Sequence, residues 1–333
     1  MLAGDLVIDA HVHGPGFVPR PAATLYRAVN RRTMPAEVGL AALAEAGVDA
    51  VVAKAVGDPV VTRWYGRDHW GAVLRQLDRL VDQVEAAGAQ LVTTAAQLRA
   101  SATSGRMAVM LGLEGADAVG TDLGRMAQLA DRGVRVVVPV HLGDNQFGTT
   151  CLPWQRYIGP MPVRRRTGLG LSDLGAALVD VMDELGIVID LSHADRATAA
   201  DITGRSRHPL IVSHTGARAL QDFPRFLADD QVSAVAGTGG VMGLWPYRHR
   251  GNGVPDLAAI VAHARHLAAV AGAEHLCLGT DTNGVPGVAS GFADGRDAPA
   301  LVDALTAGGF SPHEVRGVLG ENVLRVLDQV SST

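Results

Sequence analysis

Five short apolar runs end in, or beside, a histidine or an acid, and these side chains are the ones placed to do chemistry. They read Asp9-Ala-His11-Val-His13, Gly112-Leu-Glu114-Gly115, Asp190-Leu-Ser-His193, Val212-Ser-His214 and Gly279-Thr-Asp281. Residues two apart on a strand share a face, so His11 and His13 can grip one ion. An isolated His-x-His pair says little, and each single histidine has a structural alternative. Donors at five strand ends together point to a metal centre. Imidazole nitrogens with a few carboxylate oxygens suit Zn²⁺, and the ligand type also admits Mn²⁺, Fe²⁺ or Co²⁺. His11, His13, His193 and His214 with Glu114 and Asp281 exceed what one open zinc site needs. Two divalent ions are therefore expected, bridged by Glu114 at about 3.5–4 Å, with a bridging water acidified to a nucleophile. Asp281 either binds an ion or serves as general base on that water. Its alternative is a turn cap within Thr280-Asp281-Thr282-Asn283-Gly284. His141, near the end of another apolar run, reads as an oxyanion or substrate contact or as a structural histidine. His69, His208, His249, His263, His266, His275 and His313 fall in helices, strand starts or loops and read as structural or solvated.

Positioning these donors takes a repeating scaffold. Eight apolar stretches read as strands: Leu6–His13, Asp49–Val56, Met107–Glu114, Arg135–Leu142, Ile187–His193, Pro209–His214, Gly240–Trp245 and His275–Asp281. Their continuous apolar character suits parallel strands covered on both faces. Trp70–Ala87, Leu123–Arg132, Leu171–Leu185, Arg196–Thr203 and Leu257–Ala271 carry helical periodicity, with Ser172 a helix start and Gly88 and Gly186 helix ends. This α/β alternation predicts a single (β/α)8 TIM barrel spanning 1–333, and no G-x-G-x-x-G at a strand-to-helix turn favours Rossmann halves. Strand C-termini converge at a barrel's mouth, where the donors would meet. Pro15–Pro35 and Gly143–Gly170 break the rhythm and are expected to be loops over that mouth, as substrate walls or lids.

Composition narrows the function classes. The chain has 333 residues, 47% hydrophobic and 19% charged, and its net charge of -5 excludes a mostly disordered chain and argues against a nucleic-acid partner. Lys54 is its only lysine, which reads as compositional drift, and the Arg31-Arg32 and Arg164-Arg165-Arg166 clusters read as solvated loops. Cys151 and Cys277 match no zinc motif or disulfide framework, and Cys277 reads as a small buried thiol. The first ten residues lack a signal-peptide pattern and no window holds eighteen uncharged apolar residues, so a cytoplasmic protein without a membrane partner is expected.

Seven segments, in order along nearly the whole chain, carry a likeness: Ile8-Asp-Ala-His11, Gly112-Leu-Glu114-Gly115, Val140-His141, Ile189-Asp-Leu-Ser-His193, Pro209-Leu-Ile-Val-Ser-His214, Gly279-Thr-Asp281-Thr-Asn-Gly284 and Gly320-Glu-Asn-Val-Leu-Arg-Val326. On them the chain resembles the renal or membrane dipeptidase family of the amidohydrolase superfamily. The resemblance implies a binuclear zinc barrel that hydrolyses dipeptides, including some with a D-residue at the C-terminal position. It implies that His11 binds the first metal, Glu114 bridges, and His193 and His214 bind the second. Asp281 then handles the catalytic proton, His141 contacts substrate and Arg225 grips the substrate carboxylate, a role its planar guanidinium suits. The chain departs from the family at His13, where an aspartate is usual. Thr282-Asn283 also replaces an aromatic followed by an aspartate.

The leading expectation is thus metal-assisted hydrolysis of a small dipeptide-like substrate, with a homodimer left open. The alternatives are hydrolysis of another small amide, lactam, lactone or ester, and a metal-containing binding protein without turnover.

Overall fold

The computed structural model describes residues 5–30, 35–158, 162–163 and 170–331. Both arginine clusters, Arg31-Arg32 and Arg164-Arg165-Arg166, lie outside the described residues. Eight parallel strands form the framework: β1 (Ile8–Val12), β2 (Ala50–Val56), β3 (Ala108–Glu114), β4 (Val134–Val138), β5 (Val188–Ile189), β6 (Ile211–Thr215), β7 (Val241–Leu244) and β8 (Leu276–Leu278). They are hydrogen-bonded in the order β5-β4-β3-β2-β1-β8-β7-β6, and a parallel bridge from Asp190 to Ile211 brings the two outer strands together. All eight expected strands are therefore present, in a TIM barrel. A further short strand, Gln90–Val92, pairs with the first half of β3.

Local chemistry accounts for where the strands stop. The fourth was expected to run to Leu142 but ends at Val138, because Pro139 has no N–H to continue the ladder. The eighth was expected over His275–Asp281. A 3-10 turn occupies Ala273–His275, and Asp281 adopts a left-handed φ of 55°, which leaves only three residues extended. All five expected helices are found within two residues of their expected ends, including Leu257–Ala271. Ser172 caps its helix by accepting from Gly175 N, and Gly88 and Gly186 sit at positive φ just past helix ends. The segment 15–35 was read as loop, yet Arg20–Asn30 is helical within it.

Inside the barrel, Ile8, Val52, Met110, Val136, Val188, Ile211, Val241 and Cys277 form one core. Val323, Leu324 and Leu327 of the helix Asn322–Ser331 close it from below. A second core lies between strands and the surrounding helices. The acid-bearing and histidine-bearing strand ends lie at the opposite end from that helix. No helix among the described residues is long and apolar enough to cross a membrane.

His263, read as structural, is buried on Leu257–Ala271, where its Nδ1 accepts from Ala217 N at 2.9 Å. Burial, with help from nearby His266, lowers its pKa from 6.5 to about 4. The unfolded chain takes up this proton first, so the stabilising contribution is present above about pH 6.5 and is lost as pH falls through 4. In chelator-treated protein, urea unfolding is expected to show a loss on the order of 2 kcal/mol between pH 6.5 and about 4.5, and His263→Gln should shrink it. An unchanged pH slope in the variant would place the titration elsewhere.

Candidate metal centre

Two irregularities in strand register aim the donors inward. Along β1, Asp9 pairs with Val51 but Val12 pairs with Ala53, so β1 carries one extra residue. Such a bulge flips the alternation beyond it, which turns His11 and His13 into the barrel. Asp9 secures the bulge: Oδ1 accepts from His11 N at 3.1 Å and Thr280 N at 3.0 Å, and Oδ2 from Thr280 Oγ1 at 2.5 Å. In β6, Val212 pairs with Met242 and Thr215 with Leu244, again one residue too many. Consecutive residues Ser213 and His214 thereby both reach the interior. His193 (φ 71°) and Asp281 (φ 55°) complete the ring in left-handed backbone, a conformation that non-glycine residues seldom adopt outside specialised sites.

Glu114, at the end of β3, is the hub. Its Oε1 lies 3.5 Å from His11 Nε2, 3.2 Å from His193 Nε2 and 3.9 Å from His214 Nε2. Its Oε2 lies 3.2 Å from His13 Nε2 and 3.3 Å from His141 Nε2. Asp281 Oδ1 stands 3.5 Å from His13 Nε2 and 3.9 Å from His11 Nε2. Among the described residues three donor sets have ligand atoms within 4.8 Å of one another: His11, His13, Asp281; His11, Glu114, His214; and Glu114, His141, His193. Every metal-ligating residue expected from sequence is in this cluster, and so is His141, which was read as a substrate contact.

The groups behind the ring show that the cluster suits a cation. His13 Nδ1 faces Lys54 O at 3.0 Å, and a carbonyl only accepts, so the proton sits on Nδ1 and the Nε2 lone pair is free to bind a cation. His141 Nδ1 meets Asp58 Oδ2 at 2.5 Å with the same result. His11 and His214 both turn Nδ1 to the Ser213 hydroxyl, at 2.8 and 3.0 Å. Buried Glu114 Oε1 accepts no well-formed hydrogen bond among the described residues. Burial, then the Arg225 charge, holds His193 well below its ordinary pKa; burial, then His11, does so for His214. Both present neutral ligands. Burial alone would lower His13, but Asp281 and Glu114 outweigh it and hold it at about 9. Carboxylates that retain a proton there can retain a metal cation in its place.

Beneath the ring, Lys54 pairs with Asp190, and both are wholly buried. Asp190 Oδ1 also accepts from Ser192 N and Ser213 N, at 2.9 and 3.0 Å. Lys54 lies across from Gly112 in the β2–β3 ladder, where any Cβ would stand 2.7 Å from the lysine stem. Glycine makes room for it.

A cavity of about 270 Å³ opens above the donors, and Arg225 lines it. Arg225 Nη1 donates to Tyr157 OH at 3.0 Å, Nη2 to His214 Nε2 at 2.7 Å, and the guanidinium covers the Trp245 ring at 4.7 Å. A cation and this guanidinium are alternative partners of the same His214 lone pair. Sequence reasoning missed Lys54, Asp58, Asp190, Ser213, Tyr157 and Trp245. The one available signal was a lone lysine inside the otherwise apolar Ala50–Val56.

Comparison with known proteins gives the family and the fold. The pattern of the membrane dipeptidase family (Peptidase family M19) matches residues 3–333. Dipeptidase verJ of Clonostachys rogersoniana is 29% identical over 78% of the chain, and an uncharacterized dipeptidase of Schizosaccharomyces pombe is 32% identical over 67%. The chain spans 65% and 53% of the lengths of these two relatives. A metallopeptidase from Rhodobacter sphaeroides, solved with a phosphinate mimic of the dipeptide L-Ala-D-Ala, shares the fold with a TM-score of 0.80 at 23% identity, covering 98% of this chain and 99% of its own. From its first strand to its last helix, then, the chain belongs to the membrane dipeptidase family, Peptidase family M19.

Proposed function

We propose that the protein is a metal-dependent dipeptidase that holds two divalent ions, zinc first among them. The observation that carries this reading is the placement of Arg225, a carboxylate-binding group, in the same cavity as a cluster of five imidazoles and two carboxylates. The family and the dipeptide mimic bound by the Rhodobacter sphaeroides relative support it. His11, His13 and Asp281 would hold one ion and His193, His214 and His141 the other, with Glu114 between them. When bound, such ions polarise a carbonyl and acidify water toward neutral pH.

The chain's own residues supply the rest. Arg225, steadied by Tyr157 and Trp245, binds the free carboxylate of the substrate and so sets which peptide bond lies over Glu114. Burial pushes the Tyr157 hydroxyl up to about 12, so it remains a neutral acceptor for Arg225. Asp281 lines the cavity and can take a proton from water at its Oδ and deliver it to the leaving amine. His141, with its Nδ1 proton held by Asp58, presents the Nε2 lone pair beside Glu114 and would serve as a ligand, not as a donor to the substrate carbonyl.

Arg225→Ala is expected to raise KM for dipeptides by roughly 10–100-fold, the scale of a charge-assisted contact, with a smaller change in kcat. Steady-state kinetics on L,L and L,D dipeptides reads this directly. If metal-loaded protein cleaves none of them, the assignment is wrong. His13, a neutral ligand when it binds a cation where the family's usual aspartate is anionic, is the feature that favours a second reading: a small uncharged amide, lactam, lactone or ester. Turnover of such a compound untouched by Arg225→Ala would support that reading.

A further inference from the structure

The cavity has two walls, and the arginine that reaches the donor cluster belongs to one of them. On that side stand Arg225 and Tyr157 with the rings of Trp245 and Tyr247, Arg225 lying on the segment that follows β6. Around the barrel β1 and β2 lie opposite β5 and β6, and the segments that follow β1 and β2 supply the other wall. Its side chains are Phe17, Val18, Leu25, Val60, Val61 and Trp64. Phe17 stacks on the ring of His13, centroids 4.2 Å apart and planes at 14°, so the apolar wall begins at the metal ligands themselves.

Two observations show that this wall is made for an apolar group. Leu25 and Trp64 are 55% and 38% exposed, and they are two of the four large apolar side chains left exposed among the described residues. Both line this one cavity. Among the described residues, the only carboxylates lining the cavity are Glu114 and Asp281, which face the histidines. The charged side chain in the wall is Arg63, whose guanidinium lies 5.9 Å from the Trp64 ring. A cationic side chain would find no free anionic partner there and would meet Arg63. A glycine or alanine would leave the wall wet.

We infer that this wall is the subsite for the amino-side residue of the substrate and that it selects a large apolar side chain of the leucine or phenylalanine kind. The inference rests on the dipeptidase reading, because Arg225 at the carboxylate end is what directs the amino-side residue across the barrel mouth. Burying such a side chain contributes about 1.5–3 kcal/mol, which corresponds to roughly 10–100-fold in kcat/KM over glycine.

The test is a series of Xaa-Ala and Xaa-D-Ala dipeptides, with Xaa as Gly, Ala, Leu, Phe and Lys, run on metal-loaded protein. Expected is a rise from Gly to Leu and Phe by roughly 10–100-fold, with Lys near Gly. Leu25→Ser and Trp64→Ser, each at an exposed position, should lower the Leu and Phe substrates more than Gly, so that the Phe-to-Gly ratio shrinks. Cleavage of the whole series at similar rates, or a preference for Gly or Lys, overturns the subsite and leaves the dipeptidase reading standing. Variants that keep the full Phe-to-Gly ratio also overturn it. Cleavage of no member removes the dipeptidase reading and this inference together.

Discussion

Glu114→Gln is expected to lose bound metal and to lower kcat/KM for dipeptides by roughly 10³-fold or more, the upper scale for removing one principal electrostatic group from a reaction centre. The geometry puts this carboxylate at the centre of the donor cluster. Five imidazole Nε2 atoms lie within 3.9 Å of the two Glu114 oxygens. Burial opposes ionisation of Glu114, yet His141 and His11 outweigh it and hold the carboxyl well below its ordinary pKa. A glutamine keeps the size and one acceptor oxygen, but it puts an NH₂ against ring nitrogens and removes the negative charge. Elemental analysis after dialysis against the metal reads the binding, and unfolding of chelator-treated protein checks that the barrel survives. A variant that retained the wild-type metal content would show that the hub is not a ligand.

Lys54→Met should destabilise the chelator-treated protein by about 3–5 kcal/mol, the cost of removing one partner from a buried ion pair. Methionine fills much of the same space, so the loss is chiefly that of the charge. Asp190 keeps the backbone donors Ser192 N and Ser213 N, with His11 Nδ1 at 4.0 Å, but loses its lysine countercharge in a fully buried place. Lys54 offsets the burial penalty on Asp190 and keeps its carboxyl below the ordinary range. The pair also ties β2 to the end of β5 and, through Ser213 Oγ at 3.4 Å from Lys54 Nζ, to β6. Asp190→Leu combined with Lys54→Met should recover part of the loss, because the apolar pair leaves no charge stranded. Urea denaturation measures both. A single variant as stable as the wild type would mean that Asp190 is protonated or solvated.

Much of this was legible in the sequence, for physical reasons. Parallel strands buried on both faces are continuous apolar runs, and a barrel collects its chemistry at their ends, so His11, His13, Glu114, His193, His214 and Asp281 could be picked out by position alone. The bulges could not. One surplus residue in β1 or β6 leaves no mark in composition, yet without it Ser213 and His214 could not both face inward. Strict alternation would have allowed only one. Asp58 was hidden for another reason: it caps the short helix Pro59–Thr62 with one oxygen and orients His141 with the other. Nothing near His141 in sequence supplies that carboxylate, which comes from 83 residues away. The segment that holds the helix Arg20–Asn30 was expected at the mouth as a wall or lid, and Phe17, Val18 and Leu25 do line the cavity, but its prolines, glycines and arginines resemble loop and hid the helix.

The buried lysine has a consequence at the bench. It is the sole lysine in 333 residues and has no exposed surface. Apart from the α-amino group, the folded chain therefore offers amine-directed reagents nothing to react with, and its positive surface charge is carried by arginine. Acylating labels, crosslinkers and lysine-modifying enzymes reach Lys54 only when the barrel opens. The rate at which that single amine is labelled is then a clock for opening of the fold, read at the floor of the metal centre.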